Sequence, residues 1–240
     1  MRTFLFFIFI LWYFKNTYAQ EAGNPFIQIL GVSQDGGYPH AGCNKKCCSL
    51  AWQNDSLKKF VVSFALVDAS SNKWWLFEAS PDLKFQLQYF RMLTNGRYNY
   101  LPEGIFITHA HIGHYSGLMQ FGKEVMNTKE QQVYVLPRMK HFLETNGPWS
   151  QLVQIKNIEI HALKADAVLV LSDKVRIETF KVPHRDEFSE TAGFRILTTH
   201  KKYLFIPDID KWAKWNRSIL EEVKLVDVAL LDGTFYEDNE

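Results

Sequence analysis

The sequence predicts a mixed α/β sandwich, with β-sheets inside and helices outside. Short segments rich in β-branched and aromatic residues recur along the chain, and helical patterns lie between some of them. The strand-like segments come first in pairs and then alternate with helices, an order that favours a sandwich over an all-parallel barrel. The chain has 240 residues, 47% of them hydrophobic, which is enough for one domain with a hydrophobic core.

The individual elements follow from hydrophobic periodicity and from turn residues. The predicted strands are Phe26–Val32, Phe60–Val67, Trp74–Glu78, Gly104–Thr108, Gln132–Leu136, Val175–Val182, Gly193–Leu197, Lys202–Ile206 and Val226–Leu231. The predicted helices are Asp82–Leu93, His114–Val125, Pro137–Glu144 and Lys211–Val223. Nothing resembling a linker divides the chain, so residues 20–240 are expected to form one domain.

Residues 1–19 have the layout of a secretory signal peptide. Arg2 precedes an unbroken apolar run of eleven residues, Phe4–Phe14, and small residues stand at Thr17 and Ala19 before a possible cleavage point. An uncleaved membrane anchor is the alternative, although this run is only about half of the ~20 residues that span a bilayer as a helix. We therefore expect an exported protein, periplasmic or secreted, with no stable membrane span once the signal is removed.

The charge balance argues against a polyanionic partner. Lys and Arg number 27 against 26 Asp and Glu, which gives a formal net charge of +1. Binding to nucleic acid without sequence preference requires a concentrated basic face, and no long run of like charge occurs here. The expected partner is a small-molecule or peptide substrate.

The most informative segment is an apolar strand that leads directly into three histidines. His109, His111 and His114 place three of the eight histidines within six positions, where the predicted strand Gly104–Thr108 meets a predicted helix. A lone histidine there would more often be a hydrogen-bonded structural residue. Three together favour a metal site, since neutral imidazoles suit zinc and other first-row divalent ions, and a catalytic site keeps one position open for water or substrate.

This segment resembles the His-x-His-x-Asp-His signature of the metallo-β-lactamase superfamily. The resemblance implies a four-layer αββα sandwich, in which His184 after Thr179-Phe-Lys-Val-Pro completes a first metal site with His109 and His111. It also implies that Asp208 bridges to a second metal held by His114, and that the strand ending Leu231-Asp232-Gly233-Thr234 follows. Taken alone, His184 could instead be a surface loop residue and Asp208 a helix cap.

Two departures from the family pattern bear on the metal count. The aspartate of the signature falls on Gly113, which has no side chain to bind a metal or orient a water. The last histidine of the family has no counterpart before Glu240, so we expect a version of the fold shortened at its C-terminus. One zinc ion is therefore the safer prediction; two zinc ions, or iron, are the alternatives.

A narrower resemblance is to the pyrroloquinoline-quinone biosynthesis protein B (PqqB) branch of the superfamily. It is carried by Ile29-Leu-Gly-Val-Ser-Gln-Asp-Gly-Gly-Tyr-Pro39, Gly42-Cys43, Glu78-Ala-Ser-Pro-Asp82 and the last residues, Asp232–Glu240. The cyclic phosphodiesterases of phosphonate breakdown are similar more distantly. Asp35 and Asp82 could face the metal, but the residues themselves favour a turn and a helix cap.

The only cysteines are Cys43, Cys47 and Cys48. The family resemblance implies a structural zinc in this loop, and closely spaced thiolates suit that use. The spacing here is Cys-x3-Cys-Cys, with His40 as the nearest candidate for a fourth ligand. A disulfide from Cys43 to Cys47 or Cys48 is the alternative, because the protein is expected to be exported.

Three functions follow from these residues. The first is metal-assisted hydrolysis of an ester, amide or phosphodiester, in which Asp208 is the best remaining group to orient the attacking water. The second, implied by the PqqB resemblance, is iron-dependent oxygenation in cofactor or peptide maturation. The third is a non-catalytic metal-binding protein on a decayed hydrolase fold, suggested by Gly113.

Overall fold

The computed structural model describes residues 23–233, so the predicted signal peptide and residues 234–240 lie outside the described residues. A first sheet contains six strands in chain order: β1 (Phe26–Gly31), β2 (Ser63–Asp68), β3 (Lys73–Phe77), β4 (Gly104–Phe106), β5 (Gln131–Val135) and β6 (Ile158–Ala162). β1, β2 and β3 pair antiparallel, whereas β3 to β6 pair parallel.

A second sheet contains five strands in the order β11-β10-β9-β8-β7. These strands are β7 (Ala167–Ser172), β8 (Val175–Val182), β9 (Thr191–Thr198), β10 (Lys202–Ile206) and β11 (Val228–Leu231). β7 to β10 pair antiparallel, and β11 joins β10 in parallel.

Between residues 23 and 233, six α-helices accompany the sheets: α1 (Lys46–Gln53), α2 (Leu83–Leu93), α3 (Ile112–Tyr115), α4 (Pro137–Thr145), α5 (Trp149–Gln154) and α6 (Ile219–Lys224). Short 3-10 turns lie at Asp55–Leu57, Ser116–Phe121 and Trp212–Lys214. In the described part of the chain, no helix has the length and apolar character needed to cross a membrane.

The two sheets face each other across an aromatic core. Phe77 of β3 stacks between Phe64 and Phe106, at ring-centroid distances of 4.5 and 4.7 Å. Two rings of the second sheet meet this stack edge-on: Phe205 lies 4.9 Å from Phe64, and Phe194 lies 5.4 Å from Phe77. Both arrangements suit the quadrupole of an aromatic ring, so this layer adds directional contacts to its buried area.

Helical segments cover the outer face of each sheet. Leu87 of α2, Met139 of α4 and Leu152 of α5 are buried in one hydrophobic cluster against the first sheet. On the second sheet, Trp215 and Ile209 pack with Phe180 in a separate cluster. The order is therefore helices, sheet, sheet, helices, which confirms the predicted αββα sandwich.

Several predicted boundaries were wrong. The predicted helix His114–Val125 is α3 followed by a 3-10 turn. Gly117 approaches the loop after β3 so closely that its N–H donates to the Ala79 carbonyl at 2.8 Å, and a Cβ there would lie 2.1 Å from the Ser80 carbonyl oxygen. The predicted helix Lys211–Val223 is interrupted because Trp215 turns inward and donates to the Lys181 carbonyl at 3.0 Å.

Four elements were missing from the predictions: α1, α5, β6 and β7. β7 lies at the edge of the second sheet, where Val168 and Val170 are exposed and Leu169 packs inward. Its sequence, Ala-Val-Leu-Val-Leu-Ser, is almost continuously apolar. The strand was missed because such a sequence lacks the alternation of apolar and polar residues that marks a half-buried strand.

Candidate metal centre

Four side chains meet where three strands end. His109 and His111 follow β4, His184 follows β8, and Asp208 follows β10. Each offers one ligand atom, and these four atoms all lie within 4.8 Å of one another. The structure thus brings together the three histidines and the aspartate that the sequence proposed as metal ligands. His184 is therefore not a free surface residue, and Asp208 is not a helix cap.

The spacing of these atoms suits a small tetrahedral ion. Asp208 Oδ2 lies 3.3 Å from His109 Nε2 and 3.6 Å from His184 Nε2. His184 Nε2 lies 3.1 Å from His111 Nδ1. Ligands about 2.0–2.1 Å from a tetrahedral zinc are separated from one another by about 3.3 Å, so the observed distances fit such an ion.

Neighbouring groups fix two of the imidazole rings with one nitrogen directed at the centre. His109 Nδ1 lies 2.9 Å from Thr108 Oγ1, which leaves Nε2 facing Asp208. His111 Nε2 donates to Glu187 Oε2 at 3.1 Å, which leaves Nδ1 facing His184. Such partners orient a metal-binding histidine and select the tautomer whose lone pair faces the ion.

The electrostatics favour ligands that are free of protons. Burial lowers the pKa of His109 to about 3, and burial also lowers the pKa of His184. Burial alone would raise the pKa of Asp208, but the neighbouring His109 and His114 imidazoles hold it well below its usual range. At neutral pH these groups are neutral imidazoles and a carboxylate, the forms that bind a metal.

A second group of ligand atoms adjoins the first and shares Asp208. His114 Nε2 lies 3.2 Å from Asp208 Oδ2 and 3.2 Å from Asp35 Oδ1. Asp35 stands in a turn, as predicted, and its carboxylate also faces His114, the possibility that the residues themselves made the less favoured one. Asp82, interpreted as a cap, stands at the start of α2, but its carboxylate accepts the backbone N–H of Val61 at 2.9 Å instead.

Glu78 supports His114 from behind. Glu78 and His114 are both fully buried, and Glu78 Oε1 lies 3.4 Å from His114 Nδ1. Burial raises the pKa of Glu78, while the Glu78 carboxylate, together with Asp208 and Asp35, raises the pKa of His114 against the effect of burial. Glu78 also has a backbone φ of 68°, in the left-handed region that disfavours side chains. Strain of this kind concentrates at functional sites.

Unsatisfied buried atoms test whether a metal fits. In the described part of the chain, His109 Nε2 and His114 Nε2 are buried without a hydrogen bond of acceptable geometry. Buried polar atoms are usually paired, so an unpaired buried nitrogen needs an explanation, and coordination of a metal ion provides one. Both atoms point into the ligand groups, and the residues therefore fit the metal that the sequence predicts.

The sequence did not single out Glu78 as functional, and it underrated Asp35. Both residues lie just beyond the carboxyl end of a strand: Glu78 directly after β3, and Asp35 in the turn after β1. The four first-group ligands also follow strand ends, so that shared position was the available signal. His141 and His200 are exposed, and His161 is half-buried with Nε2 2.5 Å from Gln132 Oε1.

The three cysteines form a separate group. Cys43 Sγ lies 4.0 Å from Cys47 Sγ, which lies 3.9 Å from Cys48 Sγ, and all three are free thiols. Their sulfur atoms lie within 4.8 Å of one another, close enough to share one ion. Among the described residues, His40 is not part of this group. The arrangement places three thiols where they could share one metal ion.

A cavity of about 540 Å3 opens beside the histidine centre. Asp35 and Asp208 form part of its wall, and Ile29, Val62 and Phe205 contribute apolar surface. Sites for small molecules commonly combine an apolar lining with a few polar groups that fix orientation. The cavity therefore places space for a small substrate next to the candidate ligands.

Comparison with known proteins connects this geometry to a family. Residues 73–240 match the protein family described as Beta-lactamase superfamily domain. Coenzyme PQQ synthesis protein B of Methylococcus capsulatus is 24% identical over 233 residues, covering 89% of this chain and 75% of that protein. The protein of the same name from Pseudomonas syringae pv. tomato is 26% identical, covering 90% and 75%.

Solved structures show the same fold. Zinc-bound PqqB from Methylobacterium extorquens superposes with a TM-score of 0.71 at 20% identity, covering 89% of this chain and 74% of that one. A diphosphatase of the PhnP family superposes with a TM-score of 0.56 at 17% identity, covering 78% and 67%. At these identities the likeness concerns the fold alone.

Proposed function

Because the chain belongs to the Beta-lactamase superfamily domain family and is PqqB-like within it, we propose that it is a metal-dependent hydrolase of an ester, amide or phosphodiester. The observation that carries this proposal is the convergence of His109, His111, His184 and Asp208 beside a cavity. Three imidazoles suit zinc, and a catalytic zinc site is typically built from three protein ligands with the fourth position left for water or substrate, here beside the Asp208 carboxylate.

The chain's own residues would position the reactants. A bound metal ion lowers the pKa of its water toward ~7 and polarises a carbonyl or phosphoryl oxygen. Asp208 stands beside the histidine nitrogens and can accept a hydrogen bond from such a water. Since its pKa lies well below the usual range, Asp208 is a weak proton acceptor, so its role is to orient the water rather than to remove its proton.

The cavity indicates a small substrate. Its apolar wall would hold an aliphatic or aromatic group, and Ser33 and Gln34 add hydrogen-bonding groups near Asp35. The fold shared with a PhnP-family diphosphatase makes phosphate esters and diphosphates part of the substrate panel. Small peptides are another part of it, because a peptide substrate is among the partners that the sequence predicts.

The test is hydrolysis by the full chain loaded with zinc. We expect cleavage of at least one substrate in a panel of esters, lactones, lactams, peptides, phosphodiesters and diphosphates. The variant His111→Ala should lose at least about a hundredfold in kcat/KM, and the matched variant His141→Ala, at an exposed histidine of α4, should not. Absence of cleavage, or equal activity in His111→Ala, would overturn the proposal.

A biosynthetic oxygenation is the second candidate, favoured by the similarity to proteins of coenzyme PQQ synthesis. Imidazole and carboxylate ligands suit iron as well as zinc. Iron-loaded protein would then consume dioxygen in the presence of a peptide substrate, and zinc-loaded protein would not. Oxygen uptake equal to the metal-free control would eliminate this candidate and leave hydrolysis.

Export also stays a proposal, supported by the pattern of residues 1–19. We expect the chain expressed with its complete N-terminus to be recovered outside the cytoplasm beginning at Gln20. N-terminal sequencing tests this directly. Recovery of the chain with Met1 in a membrane fraction would favour the alternative of an uncleaved anchor.

A further inference from the structure

Building on the proposed metal-dependent function, we propose that Asp35, His114 and Asp208 hold a second metal ion, with Asp35 supplying the carboxylate that position 113 lacks. This chain has Gly113 where the signature His-x-His-x-Asp-His has its aspartate. The carboxylate instead comes from the turn after β1, on a different part of the sheet. Asp35 is thus assigned as a metal ligand.

The ligand atoms of His114, Asp35 and Asp208 lie close enough together to share one ion. His114 Nε2 lies 3.2 Å from both Asp35 Oδ1 and Asp208 Oδ2. All three ligand atoms lie within 4.8 Å of one another. This spacing matches that of the first group, and imidazole with two carboxylates is a common donor set for divalent zinc, iron or manganese.

The Asp35 carboxylate lies directly against Gly113. A Cβ atom at this position would lie 2.3 Å from Asp35 Oδ1, so the Asp35 carboxylate fills the space beside it. The Gly113 backbone also interacts with that carboxylate. A side chain at position 113 and the observed position of Asp35 therefore exclude each other.

The His114 ring is oriented as a metal ligand would be. The ring is fully buried, and Nε2 points between Asp35 and Asp208 without a hydrogen bond of acceptable geometry. Glu78 lies behind the other nitrogen, at 3.4 Å from Nδ1. A carboxylate behind one nitrogen of a histidine and a cation before the other is the usual outer-shell arrangement of metal-bound histidine.

Asp208 would connect the two ions. Its Oδ2 atom is the one that lies near His109 and His184 on one side and near His114 on the other. Two-metal hydrolytic sites hold their ions about 3.5–4 Å apart, and a carboxylate oxygen shared by the two ligand groups would suit ions at that separation. The ions would therefore be magnetically coupled when both are cobalt.

The experiment counts metal in the full chain loaded with Co2+ or Zn2+, by mass spectrometry and by titration calorimetry. The variants are Asp35→Asn, His111→Ala and a control, Asp55→Asn, at a carboxylate that is 90% exposed and paired with Lys58. Metal bound by the cysteine loop is the same in every variant and cancels in the differences. Paramagnetic resonance of the cobalt form reports coupling in the unaltered chain, so the test does not depend on any variant folding.

We expect Asp35→Asn to lose one equivalent, or to bind it at least about tenfold more weakly, and to lose the coupled cobalt signal. Asp55→Asn should match the unaltered chain. A full count with coupled signal in Asp35→Asn would overturn the inference, as would uncoupled cobalt in the unaltered chain; His114 would then be a protonated imidazole held by carboxylates. If the inference about Asp35 fails but His111→Ala loses metal and activity, the proposed metal-dependent function stands.

Discussion

The carboxylate of Asp35 occupies the space beside Gly113, where an added Cβ would lie 2.3 Å from Asp35 Oδ1. Cβ atoms do not approach other heavy atoms so closely, so one of the two groups would have to move. Asp35 Cα would also lie 2.9 Å away, which means that the backbone of the turn, and not only a flexible side chain, resists the change. The glycine and the aspartate therefore form one arrangement.

Gly113→Ala tests that arrangement. We expect the methyl group to displace the turn that carries Asp35, to weaken the second metal equivalent at least about tenfold, and to reduce the free energy of unfolding by about 1–3 kcal/mol. The equivalent that depends on His111 should remain. Calorimetric metal titration and urea unfolding measure the two effects.

Gly233→Ala is the matched control, because nothing among residues 23–233 lies within 4 Å of a Cβ at that position. It should leave both measurements unchanged. If Gly113→Ala bound metal as the unaltered chain does, the close approach to Asp35 would have no consequence for the site.

Glu78→Gln tests the support behind His114. Glutamine keeps the shape and can still accept the Thr108 N–H, which lies 3.3 Å from Glu78 Oε2. It removes the charge near His114 Nδ1, so we expect metal affinity to fall about 10–100-fold, as for other groups behind metal-bound histidines. Competition with a chromophoric chelator measures the affinity.

Glu159→Gln provides the comparison, since Glu159 is an exposed carboxylate whose Oε2 lies 3.9 Å from His161 Nε2 outside the site. Its metal affinity should equal that of the unaltered chain. Equal losses in the two variants would mean that overall charge, and not the contact with His114, controls affinity.

Much of the fold could be predicted because its strands carry a strong local signal. β8 and β10 were predicted with their observed bounds, since each is bordered by turn residues. The helix after His114 failed because tertiary contact decided it: the backbone at Gly117 packs against the loop after β3 and tightens into a 3-10 turn. Helical periodicity in the sequence contains no information about such an approach.

In the candidate site, too, local sequence predicts some residues, whereas tertiary contact alone brings in others. His109 and His111 stand in one short motif, so local sequence was enough to propose them. Asp35 is separated from His114 by most of the first sheet, and its turn of Gln-Asp-Gly-Gly reads locally as a turn and nothing more. β1 and β4 run in the same direction with β2 and β3 between them, so both end at the same edge of the sheet, and only there does the turn after β1 bring the Asp35 carboxylate to His114.

Metal removal should lower thermal stability. An ion that binds only the folded chain stabilises it by about 2.7 kcal/mol at a hundred times its Kd, and for a domain of this size that corresponds to about 5–10 °C in Tm. We expect a strong chelator to lower Tm by about that amount and Zn2+ to restore it. His184→Ala should lose most of the response, and Mg2+, which prefers oxygen ligands, should produce little. A Tm that is insensitive to both chelator and Zn2+ would contradict the site.

The last prediction concerns pH and the joint between the sheets. Asp68 at the end of β2 is buried, and its Oδ2 accepts a hydrogen bond from Ser172 of β7 at 2.7 Å, while Oδ1 accepts one from Ser70 at 2.6 Å. Burial alone would raise the pKa of Asp68, but these hydrogen bonds hold it below the usual value. A carboxyl group whose pKa is lower in the folded state adds stability above its unfolded pKa and loses it as pH falls through the folded value.

We therefore expect Asp68→Asn to cost about 1.5–3 kcal/mol at pH 7, the usual contribution of hydrogen bonds to a charged group. Below about pH 4 the difference from the unaltered chain should shrink, because the unaltered carboxylate then takes up its own proton. Urea unfolding of both chains at pH 7 and pH 3 measures this difference. Ser172→Ala should show the same trend with a smaller amplitude, since it removes one of the two side-chain donors. A cost that stayed constant between the two pH values would show that the Asp68 charge does not stabilise the joint, and that shape alone holds β2 against β7.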